Sequence, residues 1–478
     1  MNLYSLLKGV ATTTLPDIEI DNICSDNRKP CGEGTLFVCL KGETFDAHTA
    51  VPKLLEQGVS AFVVQYDCGI ENQIIVPDTR KALSLIWANF CNNPQNQLKL
   101  IGVTGTNGKT TVTTVIKNLL QGAGHKSGLI GTFRNEIGDE YLPAERTTPE
   151  PEEFFPLLQK MLDSGCEYVV MEVSSQGLAL QRLAGCKFEV GVFTNLTQDH
   201  LDFHKTMENY YLAKKDLFLN CNKALINTDD AYGKRLFDEI SCCKYSFSES
   251  EEADYRADGI KLSGAGSSFW LSTPEKTFKI ESLMTGSYNV ANISQALVTL
   301  SLIGVDLAKT QELIKSFVGV RGRLETVNTQ KDFSVILDYA HTPDALENVL
   351  GCVRGFTKGR VVCLFGCGGN RDAKKRPLMA KSAAKYADML YITSDNPRNE
   401  DPHQIISEVV EGLKDTTCPY LAIDDRREAI FKAIADAKSG DTIVLAGKGH
   451  EDYQVLANEV KIHFDEREIV AEALNALK

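Results

Sequence analysis

The sequence predicts an α/β protein with three domains, and three observations support this fold class. The chain has 478 residues, about three times the length of a typical domain, so two to four compact units are expected. Apolar runs of strand length alternate with helical segments, most regularly in the last third of the chain, which is typical of parallel sheets covered by helices. The composition, 43% hydrophobic and 24% charged residues, is that of a globular protein.

Two seams divide the chain. The polar segment Asn92–Gln97 contains a proline and separates a helical segment from a strand-like run, so it predicts a linker. The second seam lies at Gly319–Glu325, after which strands and helices alternate regularly. The predicted domains are residues 1–97, 98–322 and 323–478. For the polar stretch Cys242–Ser268 we predict irregular surface structure.

Composition and charge restrict the class of protein. No apolar run approaches the roughly 20 residues of a membrane-spanning helix, so no membrane insertion is expected. The N-terminus does not resemble a secretion signal, so we expect a cytoplasmic protein whose 14 scattered cysteines stay reduced. A net charge of −13 argues against nonspecific nucleic-acid binding, because the phosphate backbone would be repelled.

The first functional motif is a phosphate loop. Leu100–Thr104 reads as a strand, Gly105–Thr110 as a turn and Thr111–Gln121 as a helix with an apolar face. Glycines let backbone amides curl around phosphate oxygens at the positive end of the helix, and Lys109 neutralises the terminal phosphates. The spacing departs from the usual loop, since Val103 stands where the first glycine is expected. ATP is the expected nucleotide, although nothing in the loop itself rejects GTP, and the alternative is a glycine turn with an incidental lysine.

Four apolar strands in the last domain each run into a polar or glycine-rich turn. They lie in the segments SVILDYAHTP, RVVCLFGCGGNRD, DMLYITSDNPR and TIVLAGKGHED. A parallel sheet binds its ligands at the carboxyl ends of the strands, so these turns predict a site. The third turn places the amide of Asn396, the rigid ring of Pro397 and the guanidinium of Arg398 at that edge. The alternative is that Arg398 pairs with Glu400 or Asp401 at the surface.

The loop TGTNGKTT resembles the phosphate loop of the Mur ligases, the ATP-dependent amide-forming enzymes of peptidoglycan precursor synthesis. Further blocks resemble this family in order along nearly the whole chain: MEVSSQGL, TNLTQDHLD, GSYNVAN, GRLE, DYAHTP and AGKGHE. Within the family, GCGGNRD, DNPR and AGKGHED resemble the members that add the third residue of the stem peptide. DNPR is the form in members that add meso-2,6-diaminopimelate.

This resemblance implies a domain plan and a reaction. The plan is an N-terminal UDP-binding α/β domain, a central ATPase α/β domain with the phosphate loop and a C-terminal Rossmann-like α/β domain that binds the amino acid. The implied substrates are UDP-N-acetylmuramoyl-L-alanyl-D-glutamate (UDP-MurNAc-L-Ala-D-Glu), meso-diaminopimelate and ATP, with Mg²⁺ as cofactor, and a monomer is expected. ATP would phosphorylate the γ-carboxylate of D-glutamate, and the amine would then attack the acyl phosphate.

The resemblance also assigns nucleotide and metal residues. The implied metal ligands are Thr110, Glu172 and His200. The implied ATP-binding residues are Gly105, Thr106, Asn107, Gly108, Lys109, Thr110, Thr111, Asn292, Arg323, Asp338 and Tyr339. The implied catalytic residues are Lys109, Glu172, His200 and Lys214, of which Lys214 occupies the position of an N6-carboxylysine in the family. Lys215 is the adjacent competitor for that modification, and a solvated helix face is the alternative for both lysines.

Two further sets follow from the resemblance. The implied diaminopimelate-binding residues are Arg371, Asp395, Asn396, Pro397, Arg398, Gly447 and Glu451. Arg398 would bind the distal carboxylate in a bidentate manner and Glu451 the distal ammonium. The implied residues for the UDP-sugar peptide are Ser25, Asn27, Thr147, Thr148, Ser174 and Arg182, together with the Gly42–Asp46 motif. Asn27 departs from the family serine, and Leu180 stands where some relatives have glutamine.

Three alternatives stay open at this point. One is another amino acid at the same step, lysine or lanthionine. Another is a ligase similar to folylpolyglutamate synthase, which shares the ATPase architecture but lacks a domain equivalent to residues 1–97. The third is a nonenzymatic nucleotide switch, which would bind ATP without turnover and would not need Arg371 or Arg398.

Overall fold

A computed structural model describes residues 1–42, 44–263 and 266–477. Glu43, within the predicted Gly42–Asp46 motif, lies outside the described residues. No helix in the described ranges is both long enough and apolar enough to cross a membrane.

The first sheet is parallel, in the order β1-β2-β3-β4. Its strands are β1 (Asn22–Cys24), β2 (Thr35–Val38), β3 (Ala61–Val64) and β4 (Gln73–Ile75). The helices beside it are α1 (Leu3–Leu6), a 3₁₀ helix (Ala47–Ala50), α2 (Val51–Glu56) and α3 (Thr79–Phe90). Strands β2 and β3 are continuous apolar runs because both faces of the sheet are buried.

The predicted linker between the first two segments is a short irregular connection. Asn92 and Asn93 adopt positive φ angles of 57° and 55°, which end α3, and a 3₁₀ helix follows at Pro94–Asn96.

The second sheet has the order β15-β14-β13-β12-β11-β10-β5-β9-β6-β7-β8. Its strands are β5 (Lys99–Thr104), β6 (Ser127–Ile130), β7 (Arg134–Ile137), β8 (Glu140–Pro143), β9 (Tyr168–Glu172), β10 (Phe188–Phe193), β11 (Cys221–Asn227), β12 (Cys243–Ser248), β13 (Tyr255–Ser263), β14 (Gly266–Ser272) and β15 (Thr277–Ser282). Its helices are α4 (Lys109–Gly122), α5 (Pro151–Asp163), α6 (Ser175–Ala179), α7 (Leu201–His204), α8 (Met207–Leu219), α9 (Ala231–Glu239), α10 (Ser287–Leu302) and α11 (Leu307–Ile314). The central strands are parallel, and antiparallel hairpins extend both edges.

The prediction of irregular structure for Cys242–Ser268 is wrong. This stretch contains β12, β13 and the start of β14. Its few apolar side chains, among them Phe247, Tyr255 and Ala257, are buried in the core that α10 covers. The residues that alternate with the buried ones at the start of β13 are partly exposed, so this strand follows a two-residue alternation that a low overall hydrophobicity conceals.

The third sheet has the order β16-β17-β21-β18-β19-β20 and is parallel except for β16. Its strands are β16 (Glu325–Val327), β17 (Ser334–Asp338), β18 (Val361–Cys367), β19 (Met389–Ser394), β20 (Tyr420–Ala422) and β21 (Thr442–Ala446), and a hairpin of β22 (Tyr453–Val455) and β23 (Lys461–His463) follows, linked by a 3₁₀ turn (Ala457–Glu459). Its helices are α12 (Pro343–Arg354), α13 (Lys375–Ala384), α14 (Pro402–Glu411), α15 (Arg426–Ala435) and α16 (Glu466–Ala476).

These topologies confirm the predicted α/β class. In the second and the third sheet, they bring the turns that follow several strands together at one edge. Strand β5 lies between β9 and β10, so the turn after it meets the ends of both neighbours. Strands β17, β21, β18 and β19 are the four predicted strands of the last domain, and their turns share one edge. The domain boundaries at residues 97 and 322 stay a prediction, which the strand ranges of the three sheets support.

Candidate active site

A cavity of about 690 Å³ lies at the carboxyl edge of the second sheet. Its walls come from the turns after β5, β9 and β10 and, on the other side, from Arg323, Asp338 and Tyr339 of the C-terminal segment. The cavity therefore lies between two sheets that the sequence places in different domains.

The phosphate loop forms one wall of this cavity. A Cβ on Gly105 would lie 1.9 Å from Thr194 Oγ1, and one on Gly108 would lie 2.5 Å from Asn292 Oδ1. Both glycines also have positive φ angles, 152° and 88°, so side chains are excluded here by space and by conformation. Lys109 Nζ donates to the carbonyls of Gly105 and Thr106, at 2.9 Å each. Burial lowers the pKa of Lys109.

Glu172, at the end of β9, is a buried carboxylate held by neutral donors. It accepts hydrogen bonds from Thr110 Oγ1 at 3.0 Å, from Thr132 N at 3.0 Å and from Thr132 Oγ1 at 3.0 Å. Thr132 follows β6, and sequence reasoning missed it because no recognised motif contains it. The predicted ligands Thr110 and Glu172 are thus in direct contact.

His200 lies on the same edge, after β10, and caps α7 with a positive φ of 51°. Its Nε2 is 3.5 Å from Asp199 Oδ2, and burial lowers its pKa, so the neutral imidazole is favoured. Both residues line the cavity. Asp199 was not among the predicted site residues, although it stands beside His200 in the TQDHLD block.

The structure separates the two adjacent lysines of α8. Lys214 is 1% exposed, and its Nζ donates to the carbonyl of Gly105 at 2.8 Å. Burial and the positive charge of Lys109 hold the pKa of Lys214 well below its usual range. Lys215 instead pairs with Glu239 at 2.7 Å, on the outer side of the helix.

Residues of the C-terminal segment reach across to the phosphate loop. Arg323 Nη2 lies 3.4 Å from Thr110 Oγ1, and its guanidinium packs over the rings of Phe133 and Tyr339. Asp344, the second residue of α12, accepts a hydrogen bond from Asn107 Nδ2 at 3.1 Å. These contacts connect the phosphate loop to the C-terminal segment that contains the third sheet.

Asp338 is buried, and its carboxylate holds the local backbone. It accepts hydrogen bonds from Leu324 N and Ala340 N, at 2.8 Å each, and burial raises its pKa. It still lines the cavity beside Asn292 and Tyr339.

The residues predicted for the UDP-sugar peptide fall into two groups. Thr147, Thr148, Ser174 and Arg182 line the cavity, and Arg182 Nη1 donates to the carbonyl of Thr148 at 2.9 Å. Ser25 and Asn27 lie in the loop after β1, outside the lining of this cavity among the described residues. Lys29, in the same loop, pairs with Glu152 of α5 at 3.0 Å and so connects that loop to the second sheet.

At the edge of the third sheet, two arginine side chains flank Gly368. A Cβ on Gly368 would lie 3.0 Å from Arg398 Nη1 and 3.7 Å from Arg371 Cγ. Arg398 has a positive φ of 52°, and its Nη1 donates to the carbonyl of Gly369 at 3.0 Å. Burial and the charge of Arg371 lower the pKa of Arg398. This crowding of two cations favours an anionic ligand.

The alternative of a surface ion pair for Arg398 is wrong. Glu400 pairs with Arg376 at 2.8 Å and also binds the backbone of Asn370. Asp401 caps α14 by accepting a hydrogen bond from His403 N at 3.0 Å.

Acidic residues lie next to the arginines. Asp395 is 8% exposed, and its Oδ1 has no hydrogen-bond partner within the described residues. Glu451 Oε2 accepts a hydrogen bond from Asn396 Nδ2 at 3.0 Å. Asn396 also accepts from Val455 N at 2.9 Å, so its amide braces the pocket internally. Pro397 is buried next to Asn396 in the chain. Gly447 has a φ of 112°, and a Cβ there would lie 3.2 Å from Asp395 Oδ2.

Comparison with known proteins follows the same division of the chain. Residues 103–300 match the Mur ligase middle domain, and residues 322–449 match the Mur ligase glutamate ligase domain. The UDP-N-acetylmuramoyl-L-alanyl-D-glutamate–2,6-diaminopimelate ligase 1 of Clostridium acetobutylicum is 46% identical, covering 96% of each chain. The corresponding ligase of Clostridium tetani is 44% identical, covering 99% of this chain and 98% of its own.

Solved structures agree with these matches. A UDP-N-acetylmuramoyl-L-alanyl-D-glutamate–2,6-diaminopimelate ligase aligns with a TM-score of 0.73 and 31% identity, covering 100% of this chain and 99% of that chain. A Mycobacterium tuberculosis folylpolyglutamate synthase aligns with a TM-score of 0.63 at 15% identity, covering 77% of this chain and 92% of that chain, a likeness of fold alone.

Proposed function

Since this chain belongs to the Mur ligase family, we infer that it is an ATP-dependent, ADP-forming ligase of peptidoglycan precursor synthesis. It joins 2,6-diaminopimelate to the D-glutamate of UDP-MurNAc-L-Ala-D-Glu, the reaction named for full-length relatives at 41–46% identity. The amino-acid assignment rests on one observation. The pocket at the edge of the third sheet contains both positively and negatively charged side chains. Arg371 and Arg398 offer two cations there, and Asp395 and Glu451 offer two carboxylates.

The reaction needs activation of a carboxylate, which is a poor electrophile at neutral pH. The γ-phosphoryl group of ATP moves to the D-glutamate γ-carboxylate, which forms an acyl phosphate and ADP. Lys109, within the phosphate loop, and Arg323, whose Nη2 lies 3.4 Å from Thr110 Oγ1, would neutralise charge on the transferring group. Arg323 comes from the C-terminal segment, so transfer depends on closure of the two sheets.

Mg²⁺ fits the residues beside the loop. Glu172 is a buried carboxylate with no cationic partner within salt-bridge distance among the described residues, and Thr110 offers a hydroxyl oxygen beside it. Hard oxygen donors of this kind suit Mg²⁺, and the neutral imidazole of His200 supplies a third donor on the same edge. Bound there, the ion would hold the phosphate and carboxylate anions together and neutralise their charge.

Lys214 is the proposed site of an N6-carboxylysine. Burial lowers its pKa, which favours the neutral amine, the form that bonds to CO₂. The neutral nitrogen forms a bond to the carbon of CO₂ and releases one proton, so that a buried neutral amine beside Lys109 becomes an anionic carbamate. The product carboxylate would face the same edge as Glu172.

The amino acid then completes the reaction. The neutral amine of diaminopimelate attacks the acyl carbon, the bond to phosphate breaks, and the amine releases a proton as the amide forms. Arg398 and Arg371 would bind a carboxylate of the amino acid, and Asp395 and Glu451 an ammonium. Lysine has no distal carboxylate, so it would leave a guanidinium without its partner.

The remaining predicted residues bind the second substrate. Thr147, Thr148, Ser174 and Arg182 line the same cavity as the phosphate loop, which brings the peptide end of the UDP-sugar to ATP. Ser25 and Asn27, with the N-terminal sheet, would hold the UDP end. The separation of the two groups suits an elongated substrate.

A coupled phosphate-release assay tests this function. We expect release that requires ATP, UDP-MurNAc-L-Ala-D-Glu and meso-diaminopimelate together, with the stoichiometry of one phosphate per amide formed. Release with a folate and glutamate, or tight ATP binding without any amino-acid-dependent turnover, would contradict the proposal.

A further inference from the structure

Lys448 is a buried charged residue beside the amino-acid pocket that the predicted site does not use. It follows Gly447 in the turn after β21, and its side chain is fully buried. Sequence reasoning singled out Gly447 and Glu451 in the AGKGHED segment but missed Lys448, which lies between them.

The ammonium of Lys448 contacts several pocket residues. Its Nζ donates to Asn396 Oδ1 at 3.1 Å and to Glu451 Oε2 at 3.3 Å, and it lies 3.5 Å from Asp395 Oδ1. The carbonyl of Tyr453 accepts a further hydrogen bond at 2.7 Å. One cation therefore contacts three of the residues that we assign to the amino acid.

Charge balance explains why such a lysine is needed. Two carboxylates as close as Asp395 and Glu451 repel each other when both are ionised and buried. Lys448 compensates one of the two negative charges, which leaves one for a ligand. Asp395 Oδ1 accepts no hydrogen bond from the described residues, so beside the Lys448 ammonium, 3.5 Å away, it can accept one from the ligand.

We propose that Lys448 is a positioning residue of the amino-acid site, which orients Glu451 and Asn396 and leaves net charge for one substrate ammonium. This rests on the proposed function, because the ammonium is that of the amino acid. Lys448 does not face ATP, since it lies at the edge of the third sheet behind Asn396 and outside the lining of the nucleotide cavity among the described residues.

The same contacts give a pH dependence. Burial and the neighbouring Asp395 raise the pKa of Glu451, whereas Lys448 and the Asn396 amide lower it. The other charged or titratable groups near Glu451 are Arg398, Tyr339, Tyr453 and the adjacent Asp452, and Arg371 lies near Arg398. Removal of the Lys448 charge therefore raises the pKa of Glu451 further, and Glu451 loses its negative charge at a higher pH.

The test is Lys448→Met, which keeps most of the side-chain volume. We expect the KM for diaminopimelate to rise roughly 30-fold or more, as for loss of one partner of a buried charge pair, while the KM for ATP stays within about twofold. The acid limb of the kcat/KM profile for diaminopimelate should move up by about one pH unit. Lys448→Arg, which keeps a positive charge, should return the acid limb toward that of the wild type.

Lys117→Met is the matched control. Lys117 is also a buried lysine, paired at 2.5 Å with buried Glu136 in the second sheet. The Lys117→Met substitution should lower thermal stability without changing the KM for diaminopimelate or the acid limb of the kcat/KM profile. Equal effects of Lys448→Met on all three substrates, or an unchanged acid limb, would overturn the inference. A wild-type enzyme that is inactive with diaminopimelate would instead contradict the proposed function.

Discussion

At the scale of single residues, Arg398 is the side chain on which we propose that substrate choice depends. Its guanidinium is half-buried, crowded by Arg371 and held at the pocket by the carbonyl of Gly369. Arg398→Lys keeps the charge but loses the planar fork that matches a carboxylate. We expect kcat/KM for diaminopimelate to fall roughly 10- to 150-fold, which corresponds to a loss of about 1.5–3 kcal/mol of transition-state stabilisation. The KM for ATP should change little.

The control for this substitution is Arg354→Lys. Arg354 lies in the same domain and pairs with Asp388 on the surface. It should leave steady-state kinetics unchanged. Equal activity of Arg398→Lys and wild type in the same assay would remove Arg398 from the site.

Lys214 gives a second prediction at this scale, because burial lowers its pKa and so favours the neutral amine that reacts with CO₂. We expect a carbamate signal by ¹³C NMR when the protein is supplied with ¹³C-bicarbonate. The signal and the activity should both be lost in Lys214→Ala. Lys215→Ala, which removes only the contact with Glu239, should keep both, and a carbamate that survives in Lys214→Ala would contradict the assignment.

Residues in continuous motifs could be predicted from the sequence, and isolated ones could not. Lys109, Glu172 and His200 lie in blocks that resemble those of the family, and the structure brings them to one edge. Thr132 contacts Glu172 just as closely, but it follows a strand without any accompanying signal. Its position depends on the pairing of β6 with β9, which only the folded sheet determines.

At the scale of elements, the turn between β5 and α4 is the most constrained. Gly105→Ala would bring a methyl group within 1.9 Å of Thr194 Oγ1 at a φ of 152°. We expect ATP-dependent activity to be lost and the free energy of unfolding, measured with urea, to fall by about 2–4 kcal/mol.

Gly124→Ala is the matched control in the same helix–turn unit. Gly124 has a φ of 96°, but its Cβ position has no heavy atom within 4 Å outside its chain neighbours, so only backbone strain remains. We expect a cost of about 1–2 kcal/mol and unchanged ATP kinetics. A similar loss of activity in both variants would show that space at Gly105 is not the cause.

Two strands of the third sheet are linked below the amino-acid pocket by Arg426. It donates to the carbonyls of Ala446 at 2.9 Å and Ser394 at 3.4 Å, the last residues of β21 and β19. Buried Glu466 of α16 pairs with it at 2.7 Å. Arg426→Lys cannot span both strands, so we expect a higher KM for diaminopimelate and a stability loss of about 2–4 kcal/mol.

Arg360→Lys serves as the control for this link. Arg360 joins β18 to Asp441 before β21, at the opposite edge of the same sheet. It should lower the melting temperature without raising the KM for diaminopimelate. If both variants change this KM equally, the effect is one of general stability and not of the strand ends.

Four strands of the third sheet, β17, β18, β19 and β21, were predictable because each is a continuous apolar run ended by a polar turn. Strands β12 to β14 were not, because their buried side chains alternate with polar ones and their core is supplied by α10. Long-range packing of this kind leaves only a weak signal in the local sequence.

At the scale of the whole molecule, the proposed reaction requires three binding surfaces to meet. The phosphate loop and the residues assigned to the UDP-sugar peptide share one cavity, and Arg323 with Asp344 links that cavity to the third sheet. The amino-acid pocket lies at the edge of that sheet, next to Tyr339 and His450. Sequence motifs predicted the members of each surface, but their relative placement depends on contacts between distant parts of the chain.

The most direct test of this account is the ratio of kcat/KM for meso-diaminopimelate to that for L-lysine with the wild-type protein. The two amino acids differ at the distal carboxylate, which is the group that Arg398 is proposed to bind. We predict a ratio of at least about 100, the value of one charge-assisted bidentate contact of about 3 kcal/mol. A ratio near one would contradict recognition of the distal carboxylate and with it the assigned substrate.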